Sequence, residues 1–211
     1  MESLDPVEVR VLGALLEKEA TTPEYYPLSM NALVNACNQK SNREPVVNYQ
    51  EEDVSDAILR LRDKKLATMI TGNGRVNKYA QRISETLNLG RREAAVLCTL
   101  LLRGPQTLAE IKDRTERMYA FTDLAEVEHV LEKLADWPGG ALARKMSRQA
   151  GQKELRYAQL LSGEPASLTE SSSEPPGRAS RIEQLEEEVR QLRSELDALR
   201  TRFDQFQAEF R

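Results

Sequence analysis

The chain has 211 residues and a mass of 23.9 kDa, room for one large domain or two small ones at roughly 100–200 residues per domain. Charged residues make up 30% and hydrophobic types 40%, which excludes a disordered polyelectrolyte. A net charge of −4 excludes a globally basic nucleic-acid coat.

No stretch approaches the ~18 uninterrupted apolar residues of a membrane span. The opening Met-Glu-Ser-Leu-Asp-Pro lacks the basic and then apolar regions of a secretory signal. Cys37 and Cys98 are the two cysteines, both in helical apolar patterns. Neither a disulfide framework nor a bound metal is expected, and a reducing cytoplasm is the expected location.

In chain order, Asp5 and Pro6 form a cap and first position for a helix, and Val9, Leu12, Leu15 and Leu16 keep helical spacing to about Ala20. After Pro23 and Pro27, Ser29 caps a second helix carrying Leu33, Val34 and Cys37. A third helix is predicted over 51–65, with Val54, Ala57, Ile58 and Leu61 inward and Leu59 outward. Residues 66–71 and 76–80 read as two strands joined at a tight Asn73-Gly74 turn.

The same order then recurs. Ala94, Val96, Leu97, Leu100 and Leu101 mark a helix stopped at Gly104-Pro105. Thr107 caps the next, with Leu108 and Ile111. Residues 123–136 form a third, with Val127, Val130, Leu131 and Leu134 inward. Residues 142–146 and 155–160 flank a polar turn containing Gly151.

Three helices and a hairpin, repeated at a spacing near 75 residues, is the order of a winged helix-turn-helix. The expected fold is therefore mainly α with small β hairpins (α+β): two tandem winged-helix domains, 4–82 and 84–162. The alternative is one all-helical domain with incidental hairpins. Residues 163–180 are dominated by Ser, Pro, Glu and Gly and read as a flexible linker. Residues 181–211 read as a coiled-coil helix.

Charge is unevenly placed. Residues 1–59 carry a net −7 and residues 60–82 a net +6; residues 83–136 carry −3 and residues 137–163 carry +4. Positive charge thus gathers on the hairpins and the turns before them: Arg60, Arg62, Lys64, Lys65, Arg75, Lys78 and Arg82, then Arg144, Lys145, Arg148, Lys153 and Arg156. Such residues neutralise phosphates, although basic hairpin edges also discourage unwanted strand pairing. The third helices are acidic, with Glu51, Glu52, Asp53 and Asp56 in the first repeat and Asp123, Glu126, Glu128, Glu132 and Asp136 in the second. They are poor groove readers, and the first repeat is the better candidate.

Its loop holds the richest polar patch: Lys40, Ser41, Asn42 and Arg43, then Asn48, Tyr49 and Gln50. Arg, Asn and Gln make bidentate base contacts, and Ser or Tyr can hold phosphate; the same residue types also form turns and caps. Double-stranded DNA is therefore an expected partner. The candidate contacts are Lys40, Asn42, Arg43, Asn48, Tyr49, Gln50, Arg75, Lys78, Arg144, Lys145, Arg148 and Lys153.

Residues 4–20 (Leu-Asp-Pro-Val-Glu-Val-Arg-Val-Leu-Gly-Ala-Leu-Leu-Glu-Lys-Glu-Ala) resemble the opening of the YceH-like family of bacterial proteins, as do residues 26–46. The stretch Asn38-Gln-Lys-Ser-Asn-Arg-Glu-Pro45 is the most distinctive. The resemblance runs from about Leu4 to Leu161. It implies a tandem winged-helix fold presumed to bind DNA, and it supplies no catalytic residues.

In the tail, Ile182, Leu185, Val189, Leu192, Leu196, Leu199 and Phe203, continued by Phe206 and Phe210, step by three and four, as a and d positions of a coiled coil do. In parallel strands Arg181 meets Glu186, Glu188 meets Arg193 and Glu195 meets Arg200, all attractive. A parallel homodimer is expected; docking on the body or on another protein is the alternative. A membrane-surface role is disfavoured by the acidic balance of this segment.

No Gly-rich phosphate loop, His-Glu-x-x-His, Cys-x-x-Cys or nucleophile elbow occurs. His129, the single histidine, falls on an outward helix face. No enzyme activity, catalytic residue or cofactor is expected. Two functions remain: a dimeric DNA-binding transcriptional regulator, or a protein-interaction adaptor such as an accessory factor in chromosome organisation.

Overall fold

A computed structural model describes residues 2–71, 76–147 and 154–163. The chain is mainly helical with small antiparallel sheets, and local sequence signals set most of its boundaries. Helix α1 (Pro6–Thr21) begins at a reciprocal cap: Asp5 accepts from the Val7 and Glu8 amides while Glu8 accepts from the Asp5 amide. Strand β1 (Leu28–Ser29) leads into α2 (Met30–Cys37), where the Ser29 hydroxyl accepts from the Ala32 amide. Helix α3 (Glu51–Asp63) buries Val54, Ala57, Ile58 and Leu61. Strands β2 (Ala67–Ile70) and β3 (Lys78–Gln81) follow, then a single turn, α4 (Ile83–Thr86).

Helix α5 (Arg91–Arg103) stops at Gly104, whose φ of 68° needs glycine. Thr107 and Glu110 cap α6 (Leu108–Thr115) reciprocally, and Asp123 caps α7 (Leu124–Ala135). Strands β4 (Ala143–Lys145) and β5 (Tyr157–Gln159) close the second half.

The two halves repeat each other in detail. In the first, β3 lies between β1 and β2, with Leu28 opposite Tyr79 and Met69 opposite Tyr79 on the other side. In the second, β4 pairs with β5, and Gln106, just before the cap of α6, bridges Tyr157 as β1 bridges β3.

The third residue of each half's first helix is a buried glutamate held by a cation from the region of the third helix. Lys64 Nζ lies 2.8 Å from Glu8, and Lys133 Nζ 2.6 Å from Glu93.

The halves share one hydrophobic core. Helix α5 is buried on nearly every face because α6 and α7 cover one side and α1 the other. Gly13 lets α1 approach closely: a Cβ there would lie 2.8 Å from Leu102 Cδ2 and 3.2 Å from Leu101 Cβ. Cys98 Sγ–H donates to the Gly13 carbonyl at 3.4 Å across the same seam. The Leu4 amide also donates to the Leu161 carbonyl, joining the start of the first half to the end of the second.

Candidate nucleic-acid interface

The loop between α2 and α3 carries the residues whose chemistry best suits base contacts, and its geometry divides them sharply. Asn38 closes it, its side chain donating to the Tyr49 carbonyl and accepting from the Tyr49 amide, both at 2.8 Å. Arg43 requires a correction: its side chain is 0% exposed and faces inward. The guanidinium donates to the Ala36 carbonyl at the end of α2, to Gln39 Oε1 and to both carboxylate oxygens of Glu17, at 3.0 and 2.7 Å. Helix ends leave carbonyls without partners, and here one buried arginine satisfies such a carbonyl and neutralises a carboxylate together.

Beside it, Arg10 donates to the Cys37 and Pro45 carbonyls, and the Glu44 amide donates to the Leu102 carbonyl. The distinctive 38–45 segment is therefore a clasp joining α1, α2 and α5. Burial pushes the Glu17 carboxyl up, but the Arg43 hydrogen bonds and charge more than offset that and hold it below its ordinary value. Burial lowers Arg10, and the nearby Arg43 charge adds to the shift.

Of the remaining loop candidates, Tyr49 is half-buried against the core. Asn42 is exposed and accepts from Arg103. Lys40, Asn48 and Gln50 are exposed at the rim.

The hairpins tell a similar story. Lys64 turns inward to Glu8, Arg60 pairs with Asp5 at 2.8 Å, Arg82 with Glu85 at 2.8 Å, and Arg156 with Glu110 at 3.0 Å. These cations are already neutralised within the chain. Lys65, Lys78, Arg144 and Lys145 are exposed, and Lys145 stacks over Tyr157, 5.8 Å from the ring centroid. Arg75, Arg148 and Lys153 lie outside the described residues, as do residues 164–180, expected as a linker, and residues 181–211, expected as a coiled-coil helix, including Ile182, Leu185, Val189, Leu192, Leu196, Leu199 and Phe203.

The outward faces of α3 and α7 remain acidic, with Glu52, Asp56 and Asp63 on one and Glu132 and Asp136 on the other. Leu59 is 49% exposed amid the first of these, and His129 is exposed on α7. Cys37 and Cys98 are buried; burial pushes both thiols up, Cys37 to about 12. Among the described residues, no group of three or more His, Cys, Asp or Glu is placed to hold a metal, and no helix is long and apolar enough to cross a membrane.

Sequence reasoning missed the burial of Arg10, Arg43 and Glu8. A partial signal existed for Glu8, which stands three residues after Asp5 as capping pairs do.

A family described as "Protein of unknown function, DUF480" matches residues 4–152. The chain is 52% identical to a UPF0502 protein of Solibacter usitatus, over 98% of each chain. It is 53% identical to one of Geotalea daltonii, over 89% of this chain and 85% of that one. A UPF0502 protein of Geobacter sulfurreducens is 49% identical over 98% of each.

Proposed function

The chain belongs to the DUF480, or UPF0502, family of bacterial proteins, and from that premise we propose that it is a tandem winged-helix protein that binds double-stranded DNA through its hairpins. The YceH-like resemblance and the duplicated order of helices, short bridging strand and hairpin support the winged-helix assignment. One observation carries the binding mode: the division of surface charge. Lys65 and Lys78 on the first hairpin and Lys145 on the second are exposed and engage no carboxylate among the described residues, whereas the faces of α3 and α7 are acidic. A phosphate backbone is attracted to the former and repelled by the latter, so binding is to the backbone and only weakly sequence-selective.

In this reading the protein is a cytoplasmic regulator without catalytic activity. The heptads of 181–211 join two copies in parallel, a pairing tested by sedimentation of the full chain against one ending at Gly163.

The test of DNA binding is a mobility shift of the full chain on a random duplex at two salt concentrations. Lys78→Glu with Lys145→Glu weakens the shift, and loss of two phosphate contacts flattens the salt dependence by about 2 in log–log slope. Absence of a shift by the unaltered protein at low salt removes the proposal.

A second reading, a protein-interaction adaptor, is favoured by Leu59, an apolar side chain set in the acidic face of α3. That face fits a basic partner with an apolar notch.

A further inference from the structure

A narrow cleft of about 40 Å³ opens where α1, the 38–45 clasp, α5 and the end of α6 meet. Arg103, Arg114 and Arg117 line it together with Asn42, Thr21 and Glu17. We propose that this cleft binds a single phosphate-type oxyanion.

The lining is rich in cations and poor in free carboxylate. Glu17, the one carboxylate in the lining, is already engaged: Arg43 takes both of its oxygens and Lys18 lies 3.1 Å from one of them. Glu110 lies 3.6 Å from Arg114 Nη2, but its other oxygen is shared by Arg156 and the Thr107 amide. Arg117 is exposed and has no partner among the described residues. Arg103, Arg114 and Arg117 thus share the lining with a single carboxylate that is already paired.

Arg114 Nη1 is buried and has no acceptor among the described residues. A buried charged donor without an acceptor is costly, and native structures rarely keep one without a water or ion to fill the gap. Arg103 Nη2 donates to Asn42 Oδ1, which fixes its guanidinium at the cleft wall.

Burial lowers the pKa of Arg103, and the charges of Arg114 and Arg43 lower it further against a smaller opposing effect of Glu17 and Glu44. An anion among them relieves that repulsion. The volume suits a few waters or one tetrahedral oxyanion, and planar guanidiniums match phosphate oxygens in pairs.

The site stands apart from the hairpin lysines and does not rest on DNA binding. Its oxyanion can be free phosphate or a phosphate of nucleic acid, and one experiment separates the two sources. Inorganic phosphate is titrated into the full chain by calorimetry at low ionic strength. Saturable binding is expected, weakened at least about tenfold in Arg114→Gln and in Arg117→Gln, and unchanged in Arg91→Gln outside the cleft. Arg117→Gln breaks no bond among the described residues, so its effect on phosphate binding is not one of folding.

Duplex binding by the same variants then assigns the source: retained binding means a free oxyanion, lost binding a nucleic-acid phosphate. Absence of saturable phosphate binding by the unaltered protein, or equal binding by the Arg114 and Arg117 variants, overturns the proposal.

Discussion

Replacing Arg43 separates a structural arginine from a DNA-reading one. In Arg43→Met the apolar stem is kept and the guanidinium removed. Glu17 then loses a bidentate partner while its side chain remains only 12% exposed, and the Ala36 carbonyl loses its donors. Breaking a buried ion pair by removing one member costs about 3–5 kcal/mol when the other charge is left uncompensated, and Lys18, 3.1 Å from Glu17, offsets part of that loss.

For a chain of this size each kcal/mol moves the melting midpoint by about 2–4 °C, so a fall of roughly 6–20 °C is expected. Urea unfolding monitored at Trp137 gives the free energy, and a double-mutant cycle with Glu17→Gln isolates the pair. The double variant is expected to recover part of the loss, since the stranded charge is gone. A change below about 1 kcal/mol with duplex binding abolished would refute this reasoning and return Arg43 to the DNA surface.

Two further perturbations test the packing and its electrostatics. Gly13→Leu forces a side chain into the α1–α5 seam, where even a Cβ meets Leu102 at 2.8 Å; overpacking of this kind costs about 1–3 kcal/mol, read as a lower urea midpoint. Acidification is the other. Asp5, Glu17 and Glu93 are each pushed up by burial, but hydrogen bonds and the cations Arg60, Arg43 and Lys133 more than offset it, so all three are held below their ordinary values. Groups depressed on folding stabilise the native state above their unfolded pKa and cease to do so as pH falls through the folded value. Stability from these groups is therefore constant at neutral pH and declines below about pH 4.5. The decline is shallower in Arg43→Met, measured by urea unfolding at stepped pH.

Helix boundaries were legible because their causes are local. Asp5-Pro6, Ser29, Thr107 and Gly104-Pro105 act on their own neighbours, and the buried stripe Val54, Ala57, Ile58 and Leu61 follows from period alone. The prediction of 51–65 for α3 ran two residues past Asp63, since the tight turn at Lys65 (φ 60°) carries no glycine to mark it.

Strand β1 and the Gln106 bridge were not legible: two residues, or one, become strand only when a distant hairpin lies alongside. Arg10, Arg43 and Lys64 look like surface cations in sequence, and only the placing of helix-end carbonyls, Glu17 and Glu8 turns them inward. The nearly unbroken apolar run 94–102 did hold a clue to the burial of α5, as a helix with no polar face needs neighbours all round.

The seam between α1 and α5 also constrains what this architecture can become. Because Gly13, Leu101 and Leu102 interlock across it and α5 has no face to spare, neither repeat can be lent to another protein as a portable cassette. A fragment cut between them would expose the flank of α5 to water. The strands described for the two hairpins are thus carried by one body, which sets the spacing at which anything touching both would meet them.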